Sequence, residues 1–342
     1  MKLITFIIPT YNSESYLQQA IDSLLVVKKD LEIIIVNDGS KDKTSSIAHD
    51  YQLKHKDIVK VIDKLNGGHG SAINAGLKLA SSEYVKVLDS DDWIDESSLK
   101  LLIRYMKEHD KNQLKPDLYI TNFVYEHVED QTQYERDYSS NFPAYKFFNW
   151  NQINKRFKNS KTLLMHALIF KTKILKEIGL TLPEHTFYVD NIVAYVPLPY
   201  VKDIFYLDIP FYRYFIGRSD QSITLKNITS RYQQQIRVLH IMLNTYSYEF
   251  ISQTPKKLAK YMKHYIASML MITQMFTLGE DTSIRRNEIR NIWKDLKKQD
   301  LKMYRFLKYR TYNTYIYFLP WKLKRFVMIN GYKYLVKKVK LG

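Results

Sequence analysis

The chain opens with short apolar runs separated by stretches of helical period. Leu3 to Ile8, Leu31 to Val36, Ile58 to Ile62 and Tyr84 to Leu88 are too short for helices and rich in β-branched residues, so the pattern predicts buried strands. Between the first two, Leu17, Ile21, Leu24 and Leu25 share one face of a helix expected over 14–26, with Ser13 as its cap. Further helices are expected from Asp42 or Lys43 to His55, from Ala72 to Ala80 and from Glu96 to His109. Four strand–loop–helix units in succession predict a right-handed, mostly parallel α/β sheet. Leu118 to Thr121 reads as a further strand, and 125–150 as an irregular excursion or an antiparallel hairpin. Ile204 to Leu207 and Phe211 to Phe215 read as two short strands. After Lys226 the period becomes that of long helices, over 231–250, 255–278 and 282–300. The expected division is an α/β domain over 1–225 and a helical C-terminal region over 226–342.

In open α/β sheets ligands bind beyond the carboxyl ends of the strands. The unusual loops fall there: Pro9-Thr10-Tyr11-Asn12, Asn37-Asp38-Gly39-Ser40 and Asp89-Ser90-Asp91-Asp92. The last puts three carboxylates within four residues. They repel one another and are costly to bury unpaired, so the cluster calls for a positive partner, such as a divalent metal carrying a phosphate-bearing ligand. A solvated loop is the alternative for that motif taken alone. Asn66-Gly67-Gly68-His69-Gly70-Ser71 precedes a helix and could bring N–H groups to a phosphate, but its spacing is not that of a dinucleotide fingerprint. His69 is expected to be an exposed loop histidine, ahead of the alternative that it touches substrate. His166 lies alone in an apolar run, where a satisfied core histidine is the ordinary case.

Composition narrows the setting. The absence of cysteine excludes disulfides and thiolate metal sites. The apolar run before Pro9 is too short for a signal-peptide core, and no run of about 20 apolar residues is present, so a cytoplasmic protein without a spanning helix is expected. The net charge of +17 is uneven: residues 301–342 hold eleven Lys or Arg and no acid, interleaved with Tyr, Phe and Trp. That mixture favours an anionic membrane surface, ahead of a solvated helical cap and of nucleic acid. Peripheral attachment at the inner face of the cell membrane is the expectation. The oligomeric state is left open.

Taken together, in order and at these spacings, Pro9 to Asn12, Val36 to Ser40, Asn66-Gly67-Gly68 with Asn74-Ala75-Gly76, and Leu88 to Asp92 resemble the inverting nucleotide-sugar glycosyltransferases of family 2, of the type that builds bacterial cell-surface polysaccharide. The resemblance is strong over 3–108 and continues to about 225 through Tyr188-Val189-Asp190 and Arg218 to Ile223. It implies a GT-A fold, Rossmann-like with a mostly parallel sheet between helices. It implies a UDP-sugar donor and metal-assisted single displacement of a hexose or N-acetylhexosamine onto a hydroxyl of a glycan, lipid-linked if the tail keeps the enzyme at a membrane. By the resemblance Asp91 holds manganese or magnesium (Mn or Mg) against the diphosphate, with Asp89 and Ser90 on the nucleotide side. Asp38 accepts from a uracil N–H, and Pro9, Thr10, Tyr11 and Asn12 wall the base. Gly67 and Asn74 lie on the donor side, while Arg218 and Ser222 close over the diphosphate. Asp92 and His166 face the acceptor. Asp190 is the implied general base, at the place of an acidic pair whose first member is here Val189; Glu184 and His185 are nearby substitutes. Two alternatives stand beside this reading. A sugar nucleotidyltransferase usually carries a glycine-rich basic loop where this chain has Pro-Thr-Tyr-Asn. A non-enzymatic basic protein binding membrane or nucleic acid would need only the tail.

Overall fold

The computed structural model describes residues 2–127, 130–153, 161–217 and 225–339. They form two compact units, one running to Phe215 and the other beginning at Ile216, with Lys161 and Thr162 grouped with the second.

The first unit starts with β1 (Ile4–Thr10), α1 (Leu17–Leu25), β2 (Leu31–Asn37), α2 (Thr44–Lys54), β3 (Val59–Asp63), α3 (His69–Leu79) and β4 (Tyr84–Val87). All seven residues of β1 and of β2 are buried, as strands covered on both faces must be. Helix α3 lies directly on β1: a Cβ added at Gly76 would come 2.4 Å from Ile7 Cγ2. Helix α1 begins later than the sequence predicts. Ser13 supplies its carbonyl to the N–H groups of Tyr16 and Leu17, but its hydroxyl meets that of Ser90 at 2.7 Å instead of capping.

Then follow β5 (Trp93–Ile94), α4 (Glu96–Lys111), β6 (Leu118–His127), β7 (Thr132–Arg136), β8 (Phe147–Phe148), β9 (Leu168–Lys171), α5 (Thr172–Glu177), α6 (Asp190–Tyr195) and β10 (Ile204–Ile216). The sheet order is β3-β2-β1-β4-β9-β6-β10-β5, with β7 on β6 and β8 on β10. Strands β1 to β4 pair in parallel, as expected from four crossover units. Beyond β4 the pairings of β9, β7, β5 and β8 are antiparallel, so the whole sheet is mixed. A parallel neighbour needs a crossover of about a dozen residues or more, and the short β6–β7 connection cannot supply one. The segments expected as two strands over 204–215 are one. Asp208 interrupts the apolar pattern without ending the strand, because its carboxylate accepts from Asn122 and from the Tyr206 hydroxyl.

The second unit is helical: α7 (Leu225–Ser230), α8 (Tyr232–Thr245), α9 (Tyr248–Gln253), α10 (Lys256–Thr277), α11 (Ser283–Gln299), α12 (Leu301–Tyr309), α13 (Asn313–Phe318) and α14 (Trp321–Val339). The single helix expected over 231–250 breaks at Tyr246–Ser247, where the Ser247 hydroxyl accepts from the Phe250 N–H and starts α9. The basic aromatic tail is helical. Tyr304 and Ile316 pack inward, while Tyr315, Phe318, Phe326 and Tyr334 are exposed. No described helix is long and apolar enough to cross a membrane.

Candidate active site

The site is built where β4 leaves the sheet. Leu88 still donates its N–H to Ile7, and the chain then turns through Asp89 to Asp92. Asp89 Oδ1 accepts from His69 Nε2 at 2.8 Å, and its Oδ2 lies 3.7 Å from His166 Nε2. Burial alone would raise the Asp89 carboxyl. The two histidines outweigh burial and hold it well below the usual carboxylate range. Burial would likewise depress His69, but Asp89, then Asp190 and Asp91, raise it.

Asp92 is treated in the opposite way. It is 2 % exposed and accepts from the Tyr212 hydroxyl at 2.6 Å and from the Phe215 N–H at 2.8 Å. Burial first, then the charges of Asp91 and Asp89, push its carboxyl well above the ordinary value. Two acids three positions apart are thus shifted in opposite directions by their surroundings.

One ligand atom each from Asp89, Asp92 and His166 lies within 4.8 Å of the others. Two carboxylates and an imidazole suit a divalent cation such as Mn, and a cation would relieve the crowding that raises Asp92. The gathered set differs from the single expected ligand. Asp91 is half-buried in the same turn and is not one of the three.

Beneath this turn lies Lys86, 1 % exposed in the middle of β4. Its ammonium donates to the carbonyls of Met165, His166 and Leu168 at 3.2, 2.7 and 3.3 Å and lies 4.9 Å from the Tyr212 ring centroid. Burial lowers its pKa to about 7, against the pull of Asp89 and Asp92. Lys86 therefore fastens the segment carrying His166 to the strand carrying Asp89. His166 itself is boxed by aromatic rings, with the centroids of Tyr212 and Tyr214 at 4.9 and 4.8 Å.

The neighbouring loops are tied to one another. Asp38 is buried; its carboxylate accepts from Lys64 Nζ at 2.7 Å and from the N–H groups of Gly67 and Gly68 at 3.0 and 2.7 Å. It organises the glycine loop, with one side of its lone-pair capacity left over. Gly68 needs its positive φ of 83°, and a Cβ there would come 3.0 Å from His185 N. Asn12, also at positive φ, accepts from the Lys41 N–H and donates its own N–H to Ser40. Pro9 and Thr10 are buried within β1, so the exposed part of the expected wall is Tyr11, 49 % exposed, with Asn12. Asn74 gives both ends of its amide to Leu182, donating to the carbonyl and accepting from the N–H, each at 2.9 Å. It holds the 180s loop against α3, so its observed role is in packing that loop. The Ser90 hydroxyl is engaged with Ser13. Arg218 and Ser222 lie outside the described residues.

Asp190 is the first residue of α6 and half-buried; Val189 precedes it as the cap position, with no side-chain capping bond. Its electrostatic neighbours include His166, His69 and Asp89, which brings it to the acid turn. Burial raises its carboxyl above the ordinary value, the two histidines pull it down, and Asp89 adds to the rise. Val189 is fully buried, and a Cβ on Gly70 would lie 3.5 Å from it, so this position packs where an acid could not. Glu184 accepts from the Ser71 hydroxyl. His185 is exposed and donates its N–H to the Gly67 carbonyl.

Three residues of the site were not read from the sequence. His69, expected to be an exposed loop residue, is paired with Asp89. Lys86 and Tyr212 carried no motif. A lone lysine inside an apolar strand was the available signal for the first.

Comparison with known proteins gives the fold and the family. The fold resembles TarS residues 1–349 of S. aureus, solved with UDP-GlcNAc (TM-score 0.55, 20 % identity, 91 % of this chain and 92 % of that one). It also resembles the mannosyltransferase PcManGT of Pyrobaculum calidifontis, solved with GDP-Man and Mn2+ (TM-score 0.53, 13 % identity, 95 % and 84 %). At such identities these likenesses show the fold alone, and it is the GT-A fold. In sequence, the glycosyltransferase MG025 of Mycoplasma genitalium is 32 % identical over 185 residues, 49 % of this chain and 62 % of the relative. The chain spans between 20 % and 62 % of the length of three curated relatives that it matches. The model of glycosyl transferase family 2 matches residues 5–179, just over half of the chain and all of the acid turn, and the chain belongs to that family.

Proposed function

We propose that this protein moves a sugar from a UDP-sugar to a hydroxyl of a glycan acceptor by a single inverting displacement. The observation that carries the reading is the acid turn, where ligand atoms of Asp89, Asp92 and His166 lie within 4.8 Å of one another, His69 and His166 lower the Asp89 carboxyl, and burial with the neighbouring acids raises that of Asp92. Such a turn at the carboxyl end of a strand is built for a cation and the phosphates it accompanies. The neighbours solved with UDP-GlcNAc and with GDP-Man support a nucleotide-sugar donor and make UDP-GlcNAc the first to try.

Asp89, Asp92 and His166, with Asp91 beside them, would hold a divalent metal. When bound, that metal supplies Lewis-acid neutralisation of the departing diphosphate. Tyr11 and Asp38 face the base at the ends of β1 and β2. Asp190 takes the proton of the acceptor hydroxyl as its oxygen bonds to the anomeric carbon. The bond from that carbon to the diphosphate oxygen breaks, and its electron pair leaves with UDP. A carboxylate raised by burial is a stronger base than an ordinary aspartate, which favours such a proton transfer. Lys86 and Tyr212 keep the acids in register.

The tail extends the reading to location. Exposed Phe318 at the end of α13, with Leu323, Phe326 and Tyr334 among the Lys and Arg of α14, suits an anionic membrane surface on the cytoplasmic side, where a lipid-linked acceptor would be met. Thermal shifts of the whole chain test the donor class. UDP should raise the midpoint, more so with Mn, and more than GDP does. No shift with any nucleotide would count against the proposal. Inversion is checked by the anomeric configuration of the product in NMR.

A further inference from the structure

The second unit holds a cavity of about 390 Å³ that the reaction above does not use. Lys256, Lys260 and Lys263 line it from one face of α10, at positions i, i+4 and i+7. Arg310, at the end of α12, lines it as well, and Tyr248 and Phe306 form an aromatic wall with ring centroids 5.9 Å apart. Lys263 is fixed in place: it donates to Ser252 Oγ at 2.7 Å and sits 3.8 Å from the Tyr248 centroid.

Among the described residues none of these four cations pairs with a carboxylate. The acids that adjoin the region are already engaged. Glu249 pairs with Lys302, and Asp300 accepts from the N–H groups of Met303 and Tyr248. Like charges four positions apart on a helix repel, so gathering them around one concavity opposes folding unless an anion joins them. The first turn of α10, which carries Lys256, adds the positive end of a 22-residue helix.

We infer that this cavity binds a phosphate group, as a phosphomonoester or phosphodiester, with Lys256, Lys260, Lys263 and Arg310 as its cationic ligands. A tetrahedral, multiply charged oxyanion can use several ammonium donors and a guanidinium fork at once, which a single carboxylate cannot. The volume falls within the range of small-ligand sites, roughly 300–1,000 Å³, and exceeds what a lone phosphate fills. The group therefore arrives on a larger molecule, whose apolar part lies against Tyr248 and Phe306. Its source is either a soluble phosphoester or a lipid headgroup.

The test uses the whole chain and two probes: glycerol 3-phosphate in calorimetry, and phosphatidylglycerol vesicles in sedimentation. Wild type should bind at least one, and the double variant Lys260→Gln/Arg310→Gln should bind it at least tenfold more weakly. Lys260→Arg, which keeps the charge, should bind within a few-fold of wild type, which separates a lost ligand from a lost fold. Dependence in the calorimetric arm identifies a soluble phosphoester, and dependence in the vesicle arm alone identifies a headgroup; both support the site. Binding of neither probe, or equal binding by wild type and the double variant, overturns it.

Discussion

The two halves of the sheet contribute to the site in different ways. The parallel half, β1 to β4, delivers its polar residues in loops that directly follow buried strands, so Asp38 and Asp89 to Asp92 stand out as compact motifs. The antiparallel half delivers isolated side chains from strands and short connections: His166 just before β9, Tyr212 inside β10, Asp190 at the start of α6. In the proposed mechanism the first half binds and the second half orients and takes up the proton. One side of a site can therefore be plain in sequence while its counterpart is invisible.

The strongest way to break this contrast is Asp190→Asn. Loss of a general base should lower kcat by roughly 10²- to 10⁴-fold with little change in donor KM. A loss of only a few-fold would leave the chemistry wholly with the parallel half. Asp89→Asn should lower turnover by roughly 10²-fold, on the scale of a lost charge-stabilising group. In the same variant His69 should titrate lower, because Asp89 is the largest of the charges that raise it against burial. NMR titration of the His69 ring reads this directly, and an unchanged pKa would deny the pair.

Lys86→Met tests the fastening between the halves. With its folded pKa near 7 and an unfolded value of about 10.4, Lys86 is neutral in the folded state and charged in the unfolded state between those limits. The unfolded chain then binds the extra proton, so this lysine makes stability rise with pH from about 7 to about 10.4. The rise is on the order of 4 kcal/mol; it should be absent from the Lys86→Met curve and appear in full in the difference between wild type and variant. Denaturant melts of both proteins across that range measure it; a difference that stays flat would mean Lys86 is not buried as a titrating base. The smallest effect is expected from Gly76→Ala, where a methyl would press on Ile7 Cγ2 at 2.4 Å. Overpacking should cost about 1–3 kcal/mol of stability and leave KM alone, since α3 meets β1 there on the sheet face.

Particular residues show why the sequence was legible where it was. Strands buried on both faces have no polar side to display, so each polar cluster at their ends is conspicuous, and the order of such ends implied the GT-A fold. Lys86 defeated that logic. In Val-Lys-Val a lone lysine reads as a side chain turned to solvent, and the three carbonyls that bury it come from 165–168. His69 failed for a similar reason, since its partner lies across the crossover at Asp89. Asn74 matched the motif of a donor loop yet serves Leu182, because motif position says nothing of which neighbour an amide reaches. In the helical unit the excess charge was visible in the tail. The cluster around the cavity draws mainly on α10, where the lysines are spaced by helix geometry among apolar residues and form no run.

The most direct measurement is UDP release from a panel of UDP-sugars by wild type and Asp89→Asn, each with Mn2+ and with chelator. The expected result is turnover of at least one donor, UDP-GlcNAc first, that requires the metal and falls by roughly 10²-fold in the variant. Release that ignores both the metal and Asp89, or no release from any donor with or without a glycan acceptor, would contradict a donor site at the acid turn.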